Sequence, residues 1–343
     1  MKITIQAIND KQQWETYIGK RKEANFLQSW EWGDFHQALG KEVLRMGLYR
    51  SGELSGVFLI IIENAKRARY MTIAGGPLLP VSWGRREVVV PLLGSLRDLA
   101  KKHNCSFVRI RPQEIYSAAL ATAMTQYGLR PSPMHLSADL TNQLDLSLSE
   151  DELLSSMRKN TRYEVRRATK LGVRVESSTN PSDIDEFYNM QLTTARRHGF
   201  VPFAHAFLKK QFETFVGTGS ALLYKAYFKD QLLAEAFIIY YGHEAVYHYG
   251  ASTDAGRKYP GAYLIQWEAI REAKRRGCDR YNFWGVVPLE RKDHRFWGVS
   301  IFKRGFGGRE VQYLAAHDLI VDPARYALNA IVETVRRKTR HLD

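Results

Sequence analysis

The stretch "SIFKRGFGG", Ser300 to Gly308, sets a single lysine, Lys303, between an apolar pair and a run containing three glycines. Two chemistries fit it. A lysine in a turn after a buried strand is normally solvated, and glycine marks backbone turning. A lysine beside glycines can equally be a cation held against an anionic ligand, because glycine lets backbone N–H groups approach closely. A second basic feature is "SEDELLSSMRKNTRYEVRRATKLGV", in which Arg158, Lys159, Arg162, Arg166, Arg167 and Lys170 recur at three- and four-residue spacings. On one helix this gathers charge on one side, a face suited to phosphate, although such a run also describes a solvated helix surface. Ser149 as a cap, the acidic residues 150–152 at the positive end and Gly172 as a stop predict a helical region from 149 to 172. "ARRHGF", Ala195 to Phe200, adds another basic helix end.

Other chemistries lack their signatures. The ten histidines are scattered and no HExxH occurs, so His198 and His248 read as polar packing residues and no metal site is expected. Neither a G-x-S-x-G elbow nor a P-loop is present. The chemistry must therefore run without a protein nucleophile, metal or resident cofactor. An acyl-CoA turn is only partly matched: in "RKYPGAYLIQW" Lys258 precedes Gly261 and Ala262, but Pro260 interrupts, and "GRREVVVPLLGS" is a poorer match.

At 343 residues the chain exceeds the size at which one core stops growing, and 45% hydrophobic residues supply two. A formal charge of +14 favours polyanions: nucleic acid, an anionic membrane surface or phosphorylated substrates. Cys105 and Cys278 are too few for a disulfide framework or a four-ligand zinc site and read as small core residues. "MKITIQAIND" does not open like a signal peptide, and "GVFLIII" falls short of the roughly 20 residues that cross a bilayer. A cytoplasmic protein, with peripheral contact at the inner membrane face left open, is the expectation.

An internal repeat supplies the elements that must position these residues. "ELSGVFLIIIENAKRARYMTIAGG" and "QLLAEAFIIYYGHEAVYHYGAS" each read as a turn, an apolar strand and an alternating strand closed by small residues. "LLGSLRDLAKKHNCSFVRI" and "LIQWEAIREAKRRGCDRYNF" follow them, each an amphipathic helix with a basic last turn, a cysteine and a strand. Two β–β–α–β copies, each a helix on a mixed sheet, predict an α/β chain of two tandem acetyltransferase-like domains. The expected boundaries are 1–145, completed by 316–343, and 146–315.

The ordered set "QSWEWGDF", "AGGPLL", "KNTRYEVRRATKLGV", "YHYGASTDAGRKYPGAYLIQWEAIREAK", "YNFWGV" and "FKRGFGG" spans most of the chain. Together these stretches resemble the Fem family of peptidoglycan bridge-forming aminoacyltransferases. The resemblance implies tandem acetyltransferase-like domains, aminoacyl-tRNA as donor and a muramyl-peptide precursor, lipid-linked or nucleotide-linked, as acceptor. It matches Lys303 to a lysine that binds the donor end and assists transfer, and Tyr249 to a site tyrosine. Gln28, Trp32, His36, Arg257 and Tyr263 lie in the matching stretches and are assigned to substrate binding, and the basic run at 158–170 to tRNA or phosphate. Arg257, with Asp254, could instead order the loop after its strand, and of Trp30 and Trp32 one is expected in the core and one at a cleft rim. The chain departs from the family pattern at His36, Phe203 and Phe207, where some members hold precursor phosphates with Lys, Arg and Tyr. It also lacks the long charged coiled-coil arm of some relatives.

In this reading an acceptor amine attacks the aminoacyl ester, Lys303 offsets charge on the oxyanion and the leaving ribose oxygen, and Tyr249 positions the donor. An acyl-CoA-dependent N-acyltransferase and a non-catalytic polyanion-binding protein of the same fold are the alternatives.

Overall fold

The computed structural model describes residues 3–199 and 201–339, apart from the side chains of Arg197, His198, Arg257 and Lys338. Residues up to Asp139 and from Gln312 onward form one compact unit, and Leu140–Val311 form the other.

In chain order the first unit contains β1 (Ile3–Ala7), α1 (Lys11–Ile18), α2 (Trp30–Ala38), β2 (Glu42–Arg50), β3 (Glu53–Asn64) and β4 (Arg69–Ala74). It continues with α3 (Arg86–Lys102), β5 (Phe107–Arg111), α4 (Ala118–Gln126) and β6 (Arg130–Pro131). The second unit runs through β7 (Leu140–Asp145), α5 (Glu150–Ser156), α6 (Lys159–Leu171), β8 (Val173–Ser178), α7 (Ile184–His198) and α8 (His205–Val216). It then carries β9 (Ala221–Phe228), β10 (Gln231–Tyr241), β11 (Glu244–Ser252), α9 (Gly261–Arg275), β12 (Arg280–Gly285), α10 (Trp297–Arg304) and β13 (Arg309–Gln312). The chain returns to the first unit with β14 (His317–Ile320) and α11 (Pro323–Thr339).

The repeat is visible as β2–β3–β4–α3–β5 and β9–β10–β11–α9–β12. The apolar run of β3 is buried on both faces, as a central strand requires. Val88, Leu92, Leu96 and Ala100, four residues apart on α3, cover one face of the first sheet, and Leu264, Ile265, Ala269 and Ile270 of α9 cover one face of the second. Phe107 points away from α3 and meets Tyr326 of α11. Both cysteines are buried.

Each sheet has seven strands, in the orders β1-β2-β3-β4-β5-β14-β6 and β13-β7-β12-β11-β10-β9-β8. β4–β5 and β11–β12 are parallel pairs. The sixth place is filled by exchange. β14, which follows β13 in the chain, lies between β5 and β6, whereas β7, which follows β6, lies between β12 and β13. This corrects the expected boundary at 145: β7 pairs with β12 from Asp145↔Arg280 to Thr141↔Gly285, so the first unit's N-terminal part ends at Asp139.

The single helical region expected from 149 to 172 is two helices. Ser149 caps α5 through a capping box with Glu152, and Gly172 closes α6 in the left-handed conformation. The break falls at Met157, which buries its side chain, and at Arg158, whose N–H donates to Gly305 O at 2.9 Å.

Candidate functional site

β11 and β12 pair only through Glu244–Val246 and Arg280–Asn282, although they extend to Ser252 and Gly285. Two local features end the pairing. On β11, Phe237 of β10 faces Tyr249 while Ile238 faces Tyr247, so His248 is an inserted bulge residue. On β12, Trp284 adopts φ 63°, a left-handed conformation that costs a bulky residue about 1–2 kcal/mol, fixed by its N–H donating to Asn282 Oδ1 at 2.8 Å. The result is a wedge between two parallel strands whose facing backbone is unspent on each other. The corresponding pair in the first unit, β4–β5, stays in register from Met71↔Val108 to Ala74↔Arg111.

Lys303 stands on α10 at the end of β12. Its Nζ donates to Gly285 O at 2.7 Å and lies 5.7 Å from the centre of the Tyr247 ring. The side chain is buried, not solvated as a glycine-flanked lysine suggests, and burial lowers its pKa from 10.5 to about 7. Near neutrality it therefore exists in both charged and uncharged forms. Ser300, one turn earlier, accepts the Val287 N–H at 3.0 Å and fixes the loop that leaves β12.

The bulge sends Tyr249 to the other side of β11. Its ring packs against Phe203 (5.5 Å between centres), Phe237 (6.0 Å) and His248 (3.9 Å), and burial raises its pKa. Tyr247, absent from the sequence candidates, takes the Lys303 side. His248 lies 2.8 Å from the Gln211 amide nitrogen, and burial holds it neutral with a pKa of about 3. Phe203 and Phe207 stack at 4.8 Å and 11°, with Phe203 49% exposed.

Of the basic run, Arg158, Lys159, Arg166 and Lys170 are exposed. Two cations serve the fold instead: Arg162 donates to the carbonyls of Leu154, Ser155 and Met157, and Arg167 to Glu164 and Lys258 O. The Arg158–Gly305 backbone bond brings the start of α6 to the residue two beyond Lys303. Tyr263 of α9 packs on Phe302, next to Lys303, at 4.9 Å. Arg257 ends a single 3-10 turn, Ala255–Arg257, and its side chain, like that of His198, lies outside the described residues.

In the first unit Gln28 is fully buried. It donates to Ala74 O at 2.8 Å and accepts the Leu59 N–H at 2.8 Å, so its amide ties the chain together and is not offered to a ligand. Trp30 and Trp32 are both half-buried, Trp30 against Trp14 and Arg45, Trp32 against Phe26, Phe35 and His36, so neither divides into core and rim as expected. Burial, with a smaller contribution from Lys41, lowers the His36 pKa to about 3, leaving a neutral imidazole where a phosphate would need a cation.

The FemAB family model matches residues 10–228 and 221–334. The chain belongs to the FemAB family. Lipid II:glycine glycyltransferase of Staphylococcus epidermidis is 20% identical over 92% of this chain and 93% of its own length, and the Staphylococcus aureus enzyme of the same name is 19% identical over the same shares. Among solved structures, FemX superimposes with a TM-score of 0.84 at 18% identity, covering 96% of this chain and 99% of that one. A tandem GNAT protein of clavulanic acid biosynthesis gives 0.59 at 12% identity over 94% and 99%. These likenesses place the FemAB chain on the tandem acetyltransferase-like fold, and its membership makes it an aminoacyltransferase.

Two glycine readings change in this FemAB structure. The run after Lys303 does not form an open anion cradle, because a Cβ on Gly305, Gly307 or Gly308 would strike Thr161, Ser156 or the Gln143 carbonyl, respectively. Gly261 brings α9 onto the sheet, where a Cβ would come within 2.8 Å of the Ala226 side chain, so it serves packing and not a CoA pyrophosphate. Gly308→Ala combines that clash with φ +81°. It should lose about 2–4 kcal/mol of stability in urea unfolding, whereas an effect under about 0.5 kcal/mol would show that the seam with β7 yields easily.

Proposed function

We propose that this FemAB protein moves an aminoacyl group from aminoacyl-tRNA to the peptide-stem amine of a muramyl-peptide precursor. The observation that carries the reading is the buried Lys303 at the wedge, with the exposed cationic start of α6 bonded to the glycine run that follows it. Exposed cations at Arg158, Lys159, Arg166 and Lys170 suit a tRNA backbone or phosphate, and a buried amine beside them suits the ester at its end. The names of the curated relatives favour lipid II as the acceptor and glycine as one donor residue.

The acceptor amine attacks the ester carbonyl; the C–N bond forms as the bond to the ribose oxygen breaks. The attacking nitrogen sheds a proton and the departing oxygen needs one. A lysine with pKa of about 7 can take the first and supply the second, and while charged it stabilises the oxyanion between them. Tyr263 and Arg257 are assigned to holding the donor end, and Tyr249, on the far side of β11 from Lys303, to a part of the donor away from the reacting ester. Trp32 and His36 are assigned to an apolar, uncharged part of the acceptor, with Gln28 supporting the loop beneath them. The reaction places the protein at the cytoplasmic side of the membrane, where charged tRNA is available.

Mixing the purified protein with lipid II and a full set of charged tRNAs should give a precursor heavier by one aminoacyl residue. Parallel arms use UDP-linked muramyl pentapeptide and a panel of acyl-CoA thioesters. Mass gain only with acyl-CoA, or no gain in any arm, would overturn the proposal.

A further inference from the structure

Among the described residues α11 presents an exposed apolar stripe. Leu328, Ile331 and Val335 recur at three- and four-residue spacings and are 55%, 63% and 54% exposed, whereas Tyr326 and Asn329 on the opposite side are buried against the first unit. Exposed apolar side chains in isolation are ordinary, but three large ones aligned along two turns of a docked helix are a surface feature. The charges around the stripe are mainly positive, Asp322 at the helix start being paired with Arg325. The only acidic residue of the helix, Glu333, is drawn inward to Arg109 at 2.8 Å, while Arg336 is exposed. At the other end of the helix lies the turn between β3 and β4. Its Ala68 is buried in the same cluster as Tyr326 and Phe107, and its Lys66 and Arg67 are exposed.

We propose that α11 rests on an anionic lipid bilayer, with Leu328, Ile331 and Val335 entering the boundary between headgroups and acyl chains and Lys66, Arg67 and Arg336 meeting lipid phosphates. An apolar stripe flanked mainly by cations, with Glu333 withdrawn to Arg109 and Asp322 paired with Arg325, has the composition of an interfacial amphipathic helix. The complement of that pattern is a surface that is apolar inside and anionic outside. No helix among the described residues is long and apolar enough to cross a membrane, so the contact is peripheral. The inference stands apart from the transfer chemistry and would hold whichever acceptor is used.

Flotation of the full chain with vesicles tests it, with no substrate present. The wild type should rise with phosphatidylglycerol-rich vesicles, rise much less with pure phosphatidylcholine, and be released by salt. The triple substitution Leu328→Ser, Ile331→Ser, Val335→Ser should lose at least about tenfold in partitioning while melting as the wild type does, since all three sites are exposed. Lys66→Gln, Arg67→Gln, Arg336→Gln should lose the preference for anionic lipid without changing the fold. Equal flotation of wild type and the triple serine variant would overturn the proposal. So would an absence of flotation, and a dimer in light scattering that the serine variant abolishes would then assign the stripe to a second copy of the chain.

Discussion

Lys303→Met is expected to lower turnover by a factor of about 10²–10⁴ while making the protein more stable at neutral pH. The first effect follows from removing the buried amine at the wedge, which donates to Gly285 O and carries the proposed proton transfer. The second follows from linkage. In the unfolded chain Lys303 titrates near 10.5 and in the folded protein near 7, so between those values the unfolded state holds a proton that the folded state lacks. Wild-type stability should therefore rise as pH increases from about 7 to 10.5 and, for this group, become flat below 7, where the full cost of a buried charge is present. Each tenfold change in acidity is worth about 1.4 kcal/mol, so the cost is on the order of a few kcal/mol. Denaturant titrations of both proteins across that range should converge at high pH. Parallel curves would show that the amine is not desolvated, and unchanged turnover at equal folded fraction would falsify its role in transfer.

Asp318→Ala is expected to destabilise the protein by about 3–5 kcal/mol without moving any residue of the wedge. Asp318 on β14 is fully buried and accepts from Arg109 Nε at 2.8 Å and Nη2 at 2.9 Å, and from the Tyr326 hydroxyl at 3.1 Å. Burial alone would disfavour the charged guanidinium, yet the hydrogen bonds from Arg109 to Asp318 and Glu333 raise its pKa above the ordinary arginine value. Removing the aspartate leaves a buried cation with one carboxylate and an unsatisfied hydroxyl. Urea unfolding read against the wild type checks it. A loss under about 1 kcal/mol would mean that Glu333 and water can replace Asp318.

The repeat was legible because its evidence is local: apolar strands, amphipathic helices and basic helix ends recur in the same order. The return of the C-terminal segment to the first unit was legible too, but its insertion between two strands and the reciprocal placement of β7 in the second sheet were not. β7, "LTNQLD", and β14, "HDLI", are short and carry the buried polar residues Asn142, Gln143 and Asp318, so neither pattern announces a central strand. Which sheet accepts them is decided by partners far along the chain. Lys303 was found by its neighbours in sequence, but its burial depends on Gly285 and Tyr247, which arrive from β12 and β11. Gln28 was assigned to substrate binding because it opens a stretch that resembles the family. The structure satisfies its amide with two backbone groups instead, a choice no spacing rule reveals. Tyr247 and Tyr249 look equivalent two residues apart on a strand, and only the bulge at His248 separates them.

The crossing of β7 and β14 also bears on how such a protein can be divided or built. A fragment ending near Asp145 would lack β14, leaving β5 and β6 without the strand that joins them, and would carry β7 without β12. A fragment beginning after it would lack β7 and trail β14 unpaired. Neither half of the gene is a module, so separately expressed halves should regain structure only when both are present, each donating one strand to the other. Selection can then vary the two halves independently on their surfaces but must keep their exchanged strands matched, because the sheet that carries the wedge cannot close without β7.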